Sequence, residues 1–187
     1  MMQVEQAMER QNVHHSAFIH SMAMVDNTVK IGANSHIWQF ASIIRGAVIG
    51  DDTNVASGAC VDGSHIGSRC VIAHNLAMGP GFWISDEVFI GPNCTFCNDS
   101  WPRTHKIGFR PEEFNENTHA VLVQRGASIG ANSVILPGVT IGERAMIAAG
   151  SRVDRDVPAG HLWKDGNSRP THERIDRMKF AYKGSQR

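Results

Sequence analysis

Branched apolar residues recur along this chain at every sixth position. Ile19, Val25, Ile31, Ile37, Ile43, Ile49, Val55 and Val61 stand six residues apart without a break. The ladder resumes one residue early at Ile66 and runs through Ile72, Met78, Ile84, Ile90 and Phe96. After a longer gap it returns at Val123, Ile129, Ile135, Ile141, Ile147 and Val153. A helix repeats near 3.6 residues and a strand near 2, so neither alone produces a period of six. Two residues before each rung the side chain is mostly small: Ala17, Ala23, Ser35, Ala41, Ala47 and Ala59 early on, Ala127, Ser133, Ala145 and Ser151 later. A small and a large inward residue with one outward residue between them describe a very short strand. Gly follows many rungs (Gly32, Gly50, Gly67, Gly79, Gly91, Gly130, Gly142), which suits a corner that needs either φ > 0 or a close backbone approach. Each hexad is then one flat face and one turn. Three faces close a coil of 18 residues, and stacked coils pile Ile and Val into one interior column, an all-β parallel β-helix solenoid. The twenty hexads predict between six and seven coils.

The pattern divides the chain into an N-terminal cap segment at residues 1–16, a β-helix at 17–160 with an inserted loop at 97–122, and a tail at 161–187. Val4, Ala7 and Met8 fall on one side of the polar first segment, consistent with a helix capping an open end whose strand edges are unpaired. In the tail, Thr171 is a candidate N-cap for a helix with Ile175, Met178 and Tyr182 on one face. That tail carries seven Lys or Arg against three acids, either a clamp for phosphates or a solvated face. The early rung at Ile66 reflects a slip at Gly63 to His65, open to a loop adjustment or to a functional reading.

Composition narrows the classes. Lys plus Arg and Asp plus Glu number 18 each, so no global field draws nucleic acid. No apolar run approaches the roughly 18 residues of a membrane helix, and Met1 to Asn12 is polar, so the expectation is a soluble cytoplasmic protein without membrane partners. Cys70 and Cys94 occupy the small inward position and read as buried hydrophobes. Cys94-x-x-Cys97 has no second half, and His15 and His20 form a solvated pair, so no metal site is expected.

The break in the ladder holds the chemistry. Between Phe96 and Val123 lies CNDSWPRTHKIGFRPEEFNENTHAVL. An insertion at a corner leaves a solenoid stack undisturbed and often marks its binding face. Asn98, Asp99, Trp101, Arg103, His105 and Lys106 gather acceptors, donors, a stacking surface and cations, and Pro102 and Pro111 stiffen them.

The ladder resembles the hexapeptide-repeat acyltransferases of left-handed β-helix fold over roughly residues 17 to 160. Within them, EVFIGPNCTFCNDSWPRTHK and VLVQRGASIGANSVILPGVTIGERAMIAAGSRVDRDVPAG are similar to the nucleotide-sugar 3-N-acetyltransferases. Those enzymes acetylate UDP-linked 3-aminoglucuronate or dTDP-linked 3-amino-3,6-dideoxyhexoses for surface polysaccharides of O-antigen type. The resemblance implies a homotrimer with acetyl-CoA as co-substrate in the groove between two β-helices, and a nucleotide sugar held by loop and coil. It implies Asn98 and Asp99 beside the reacting amine, Trp101 and Arg103 on the substrate, and backbone groups of Gly126, Ala127 and Ala145 along the pantetheine arm. The deoxyhexose branch often has a His near the position of Gly58; here the nearest are His65 and His74, either replacements for it or corner residues, and His74 is taken as the candidate substrate contact. The usual turn after VPAG is replaced by HLWKDGNSRP.

Amide formation between an amine and a thioester needs orientation and oxyanion stabilisation more than a strong base. Asp99 or the Asn98 oxygen can accept a hydrogen bond from the amine, and a coil N–H can meet the oxyanion. O-acetyl transfer, a zinc hydratase with three converging histidines, and a non-catalytic scaffold are the alternatives on this fold.

Overall fold

The computed structural model describes residues 12–105, 113–115 and 117–171. The two expected terminal helices, at Met1 to Val13 and after Thr171, lie almost wholly outside the described residues, as does Lys106.

Strands of two to four residues stack into three sheets that form the faces of a solenoid. The first face begins with Phe18–Ile19, the second with Met24–Val25 and the third with Lys30–Ile31. Each strand pairs in parallel with the strand one coil away, so Ile19 lies on Ile37 and Ile31 on Ile49. The outward residue of each pair faces solvent and the ladder residue is buried: from Ile31 to Val153 every rung is inside. Burying an Ile or Val side chain is worth about 1.5–3 kcal/mol, so the column supplies the driving force that two-residue strands lack alone.

The small inward position is equally specific. Where it is polar, its hydroxyl bonds the carbonyl of the next coil: Ser35 Oγ to Gly50 O at 2.6 Å, Thr53 Oγ1 to Gly67 O at 2.8 Å, Ser64 Oγ to Gly79 O at 2.7 Å. Burial without a penalty for an unpaired polar group follows. Cys70 and Cys94 are buried at this position as free thiols, with Sγ against Ser85 O and Gly130 O.

The glycines that follow the rungs are close-approach positions. A Cβ on Gly130 would stand 2.4 Å from Ala149 N, and one on Gly142 2.4 Å from Ala159 N. Positive φ falls two residues later, at Asn132 (58°) and Arg144 (53°). Of the two explanations open from sequence, coil-to-coil contact is therefore the physical one.

The stack is taller than the ladder alone implies. Val13 bridges to Ile31 below, Val157 bridges to Ile141 above, and His161–Lys164 pairs on Met146 and Ile147, giving about eight turns. His161–Lys164 and Asn167–Pro170 form an antiparallel hairpin across Asp165 (φ 52°) and Gly166 (φ 75°), a two-residue turn with both residues left-handed. Trp163, buried and donating Nε1 to Arg152 O at 3.1 Å, closes the column at this end.

Candidate functional site

The insertion leaves and re-enters the stack at one corner, between the second and third faces. Cys97 N makes the last coil bond, to Ile135 O at 2.9 Å, and on return Ala120 N donates to Gly81 O while Gly138 N donates to Ala120 O, both at 2.6 Å. Both ends are thus pinned to the coils above and below.

Asn98 and Asp99, both half-buried, stand where the chain turns out of the coil. Asn98 Nδ2 donates to Pro80 O at 2.8 Å, which fixes the amide against the coil below. Among the described residues no donor meets its Oδ1. Asp99 Oδ1 accepts Trp101 N at 2.8 Å, a side-chain-closed turn that starts the loop and leaves the second oxygen for other partners. Trp101 is 78% exposed and Arg103 is exposed, so the single chain presents both to solvent.

Beside this corner the loop folds back over the third face. Phe114 covers Gly81, His119 returns beside it, and beneath them His65 stacks on Trp83 with centroids 3.9 Å apart and planes 10° off parallel. These side chains wall a cavity of about 190 Å³. Its floor is low because three successive coils place glycine at the corner, Gly46, Gly63 and Gly81, with φ of 70°, 58° and 98°. The one-residue slip lies in this wall: Ile66 keeps its rung over Ile49, while the shortened corner brings His65 beneath Trp83. Burial lowers the His65 pKa, only partly offset by the charge of Asp86, and keeps the ring neutral at neutral pH. Among the described residues, His119 Nδ1 is buried without a hydrogen-bond partner. Arg45 reaches the side of the same corner and forms a two-point pair with the largely buried Asp62.

The candidate acyl-carrier residues lie across the third face, at the corner leading to the first. Their N–H groups are committed to the solenoid: Gly126 to Asp86 O at 3.0 Å, Ala127 to Gln124 O at 3.3 Å, Ala145 to Gly142 O at 3.0 Å. The carbonyls of Ala127 and Ala145 already accept Phe89 N and Ser128 N. Each carbonyl keeps one lone pair, so these positions can accept from a bound amide but not donate to it. Beside them Arg69, Glu87 and Arg125 form a surface ladder, in which Arg125 and then Arg69 hold the Glu87 carboxyl down at about 2. His74 is exposed at the remaining corner, between the first and second faces. One chain therefore brings Asn98, Asp99 and the loop together but leaves the carrier residues and His74 at the other two corners.

Sequence reasoning passed over the cavity. Its signal was the slip plus glycines recurring a coil apart at Gly46, Gly63 and Gly81; Phe114 and His119 sit in the aperiodic insertion, where no ladder marks them.

A three-faced parallel solenoid with hexad rungs defines a class, and sequence comparison places the chain within it. The family described as bacterial transferase hexapeptide (six repeats) matches residues 28–63 and 120–155. The chain is 42% identical over 143 residues to the dTDP-3-amino-3,6-dideoxy-alpha-D-galactopyranose 3-N-acetyltransferase of Aneurinibacillus thermoaerophilus, covering 76% of this chain and 71% of that protein. It is 28% identical to the bifunctional protein GlmU of Pseudarthrobacter chlorophenolicus, of which it spans 36% while covering 79% of itself. Among solved structures, the Francisella novicida UDP-N-acetylglucosamine acyltransferase superposes with a TM-score of 0.58 at 17% identity, over 89% of this chain and 73% of that one, a likeness of fold. The protein belongs to the bacterial hexapeptide-repeat transferases.

Proposed function

We propose that the protein is an acetyl-CoA-dependent N-acetyltransferase that acts on the 3-amino group of a nucleotide-linked 3-amino-3,6-dideoxyhexose, a precursor of surface polysaccharide. The observation that carries this reading is the 42% identity to a dTDP-3-amino sugar 3-N-acetyltransferase, whose aligned length is 71% of that enzyme. The Asn98–Asp99 corner supports it. A neutral amine attacks the thioester carbonyl, the C–N bond forms, the C–S bond breaks, and the amine's proton passes through solvent to the departing thiolate, giving the amide and the free thiol of CoA. Asn98 Oδ1 and the second Asp99 oxygen accept from the amine and aim its lone pair, and no strong base is required.

The separation of Asn98 from Gly126, Ala127 and Ala145 within one chain points to an active site completed by a second copy. A homotrimer is the assembly we propose, and the surface supports it. Phe18, Met24, Phe40, Val71, Phe89 and Val134 are exposed, and all flank the edge between the first and second faces along the length of the stack. Among the described residues, the third face exposes no large hydrophobic. An apolar stripe as long as the rod matches a partner of equal length, and closed rings are the usual symmetric solution. Light scattering is expected to give three times the monomer mass, and the double change Val71→Glu with Phe89→Glu to release monomers. A monomeric parent protein, or a double variant of unchanged mass, would contradict the trimer.

The activity itself is tested by thiol release from acetyl-CoA with a panel of UDP- and dTDP-linked 3-amino sugars. Turnover with at least one 6-deoxy member is expected. No release with any member, under conditions where acetyl-CoA binds, removes the proposal.

A further inference from the structure

We infer that Arg125 is a catalytic residue of the composite site: from one copy of the chain its guanidinium faces Asn98 and Asp99 of the next and donates to the acyl oxygen as the amine adds. The inference rests on the N-acetyltransferase and trimer readings above.

Height is the first argument. Ile90, Phe96 and Val123 are the three rungs of one coil. Glu87 stands at the corner where the chain enters that coil, Asn98 follows the second rung, and Arg125 follows the third. The Glu87–Arg125 pair therefore spans the coil that carries Asn98, a rise of about 4.8 Å.

Packing is the second argument. The exposed apolar stripe runs along the edge between the first and second faces. Three rods that meet along this edge, related by rotation about an axis parallel to them, set the second face of one against the first face of the next. The Asn98 corner, at the far side of the second face, then lies beside the neighbour's Arg125 corner, at the far side of the first. Rotation leaves height along the rod unchanged, so the two corners meet at the level of the Glu87–Arg125 pair.

Chemistry is the third. Addition of the amine moves the C=O electron pair onto the acyl oxygen, and the pair returns as the C–S bond breaks. The group that meets this oxygen donates hydrogen bonds and neither gains nor loses a proton. The N–H groups of Gly126, Ala127 and Ala145 are spent on the solenoid, and Asn98 Nδ2 is spent on Pro80 O. Arg125 bonds Glu87 through Nε at 3.1 Å and Nη2 at 2.6 Å, which leaves the Nη1 edge of a permanently charged fork for another acceptor. Glu87 is itself gripped by Arg69 Nε at 3.2 Å, so the fork is aimed before substrate arrives. Arg69 and Arg125 are balanced by Asp86 and Glu87, which suits a charge that develops during the reaction better than a phosphate that carries its charge throughout.

Mixed trimers decide it. Arg125→Gln keeps the main chain and removes the charge, and because the ion pair is exposed it is expected to fold and to form trimers as the parent does. With a nucleotide-linked 3-amino sugar that the parent turns over, its kcat should fall by about 100-fold or more, with both KM values within about threefold of the parent. Arg125→Lys, which keeps a charge but not the fork, should lose less; if Arg125→Gln fails to assemble, the Lys variant takes its place in both measurements. Coexpression of Arg125→Gln with Asn98→Ala under two different tags, followed by purification through both, gives trimers that hold both chains. Each such trimer has one site with both side chains intact, so about one-third of parental activity is expected. A parental kcat in Arg125→Gln overturns the assignment. So does a monomeric parent, or mixed-trimer activity no higher than that of the separate variants, since Arg125 would then serve its own chain. If Asn98→Ala keeps parental kcat, the corner is not the site and the assignment falls with it. A parent that acetylates no sugar of the panel removes the N-acetyltransferase reading itself.

Discussion

Asn98→Ala and Asp99→Ala are each expected to lower kcat for the best nucleotide-linked 3-amino sugar by about 10 to 1000-fold, with acetyl-CoA binding nearly intact. Among the described residues Asn98 makes one side-chain bond, from Nδ2 to Pro80 O, which leaves its Oδ1 for the proposed amine. Asp99 fixes the first turn of the loop through Trp101 N and has an oxygen to spare. Removing either takes away orientation rather than affinity for the acyl donor, whose proposed contacts at Ala127 and Ala145 lie a full face away. The loss should therefore appear in kcat with acetyl-CoA KM little changed. Steady-state kinetics in both substrates reads this directly, and two variants with parental kcat would move the site elsewhere.

Ile135→Ala is expected to destabilise the fold by on the order of 2 to 5 kcal/mol. Ile135 is fully buried, with Phe96 below it and Val153 above it in register on the second face. A column of short rungs has no lateral neighbour that can swing in, so the truncated methyls leave a cavity between the coils. Ile141→Ala, the corresponding rung on the third face, should cost a similar amount. Denaturant unfolding at one fixed protein concentration measures both, because association shifts apparent stability. A loss under about 1 kcal/mol would mean the side chains are not the packed interior that their burial indicates.

The interior was legible because one side-chain choice per hexad carries it. Each rung needs a branched apolar residue and each preceding inward site a small one, so burial repeats at a fixed interval that composition cannot hide. The corner glycines were legible only as alternatives: sequence shows where a side chain is absent, whereas the 2.4 Å approach of the next coil at Gly130 is a property of the stack. The closing hairpin had a local signal, Asp165-Gly166 between strand-forming residues, but the basic residues around it drew the reading toward a tail. At the candidate site, Asn98 and Asp99 could be placed at the base of the insertion because the ladder stops at Phe96. His119 could not, since its position depends on how the insertion folds back, and no period governs an insertion. The distribution of candidates over three corners was equally invisible, because residues distant in sequence share a corner only through the coil geometry.

The chemistry of the product tests the central claim most directly. After incubation with acetyl-CoA and a dTDP-linked 3-amino-3,6-dideoxyhexose, NMR of the isolated sugar nucleotide should show one new acetyl group, joined as an amide to the nitrogen on C3. An acetyl ester on a hydroxyl, or thiol release with the sugar unchanged, would contradict it.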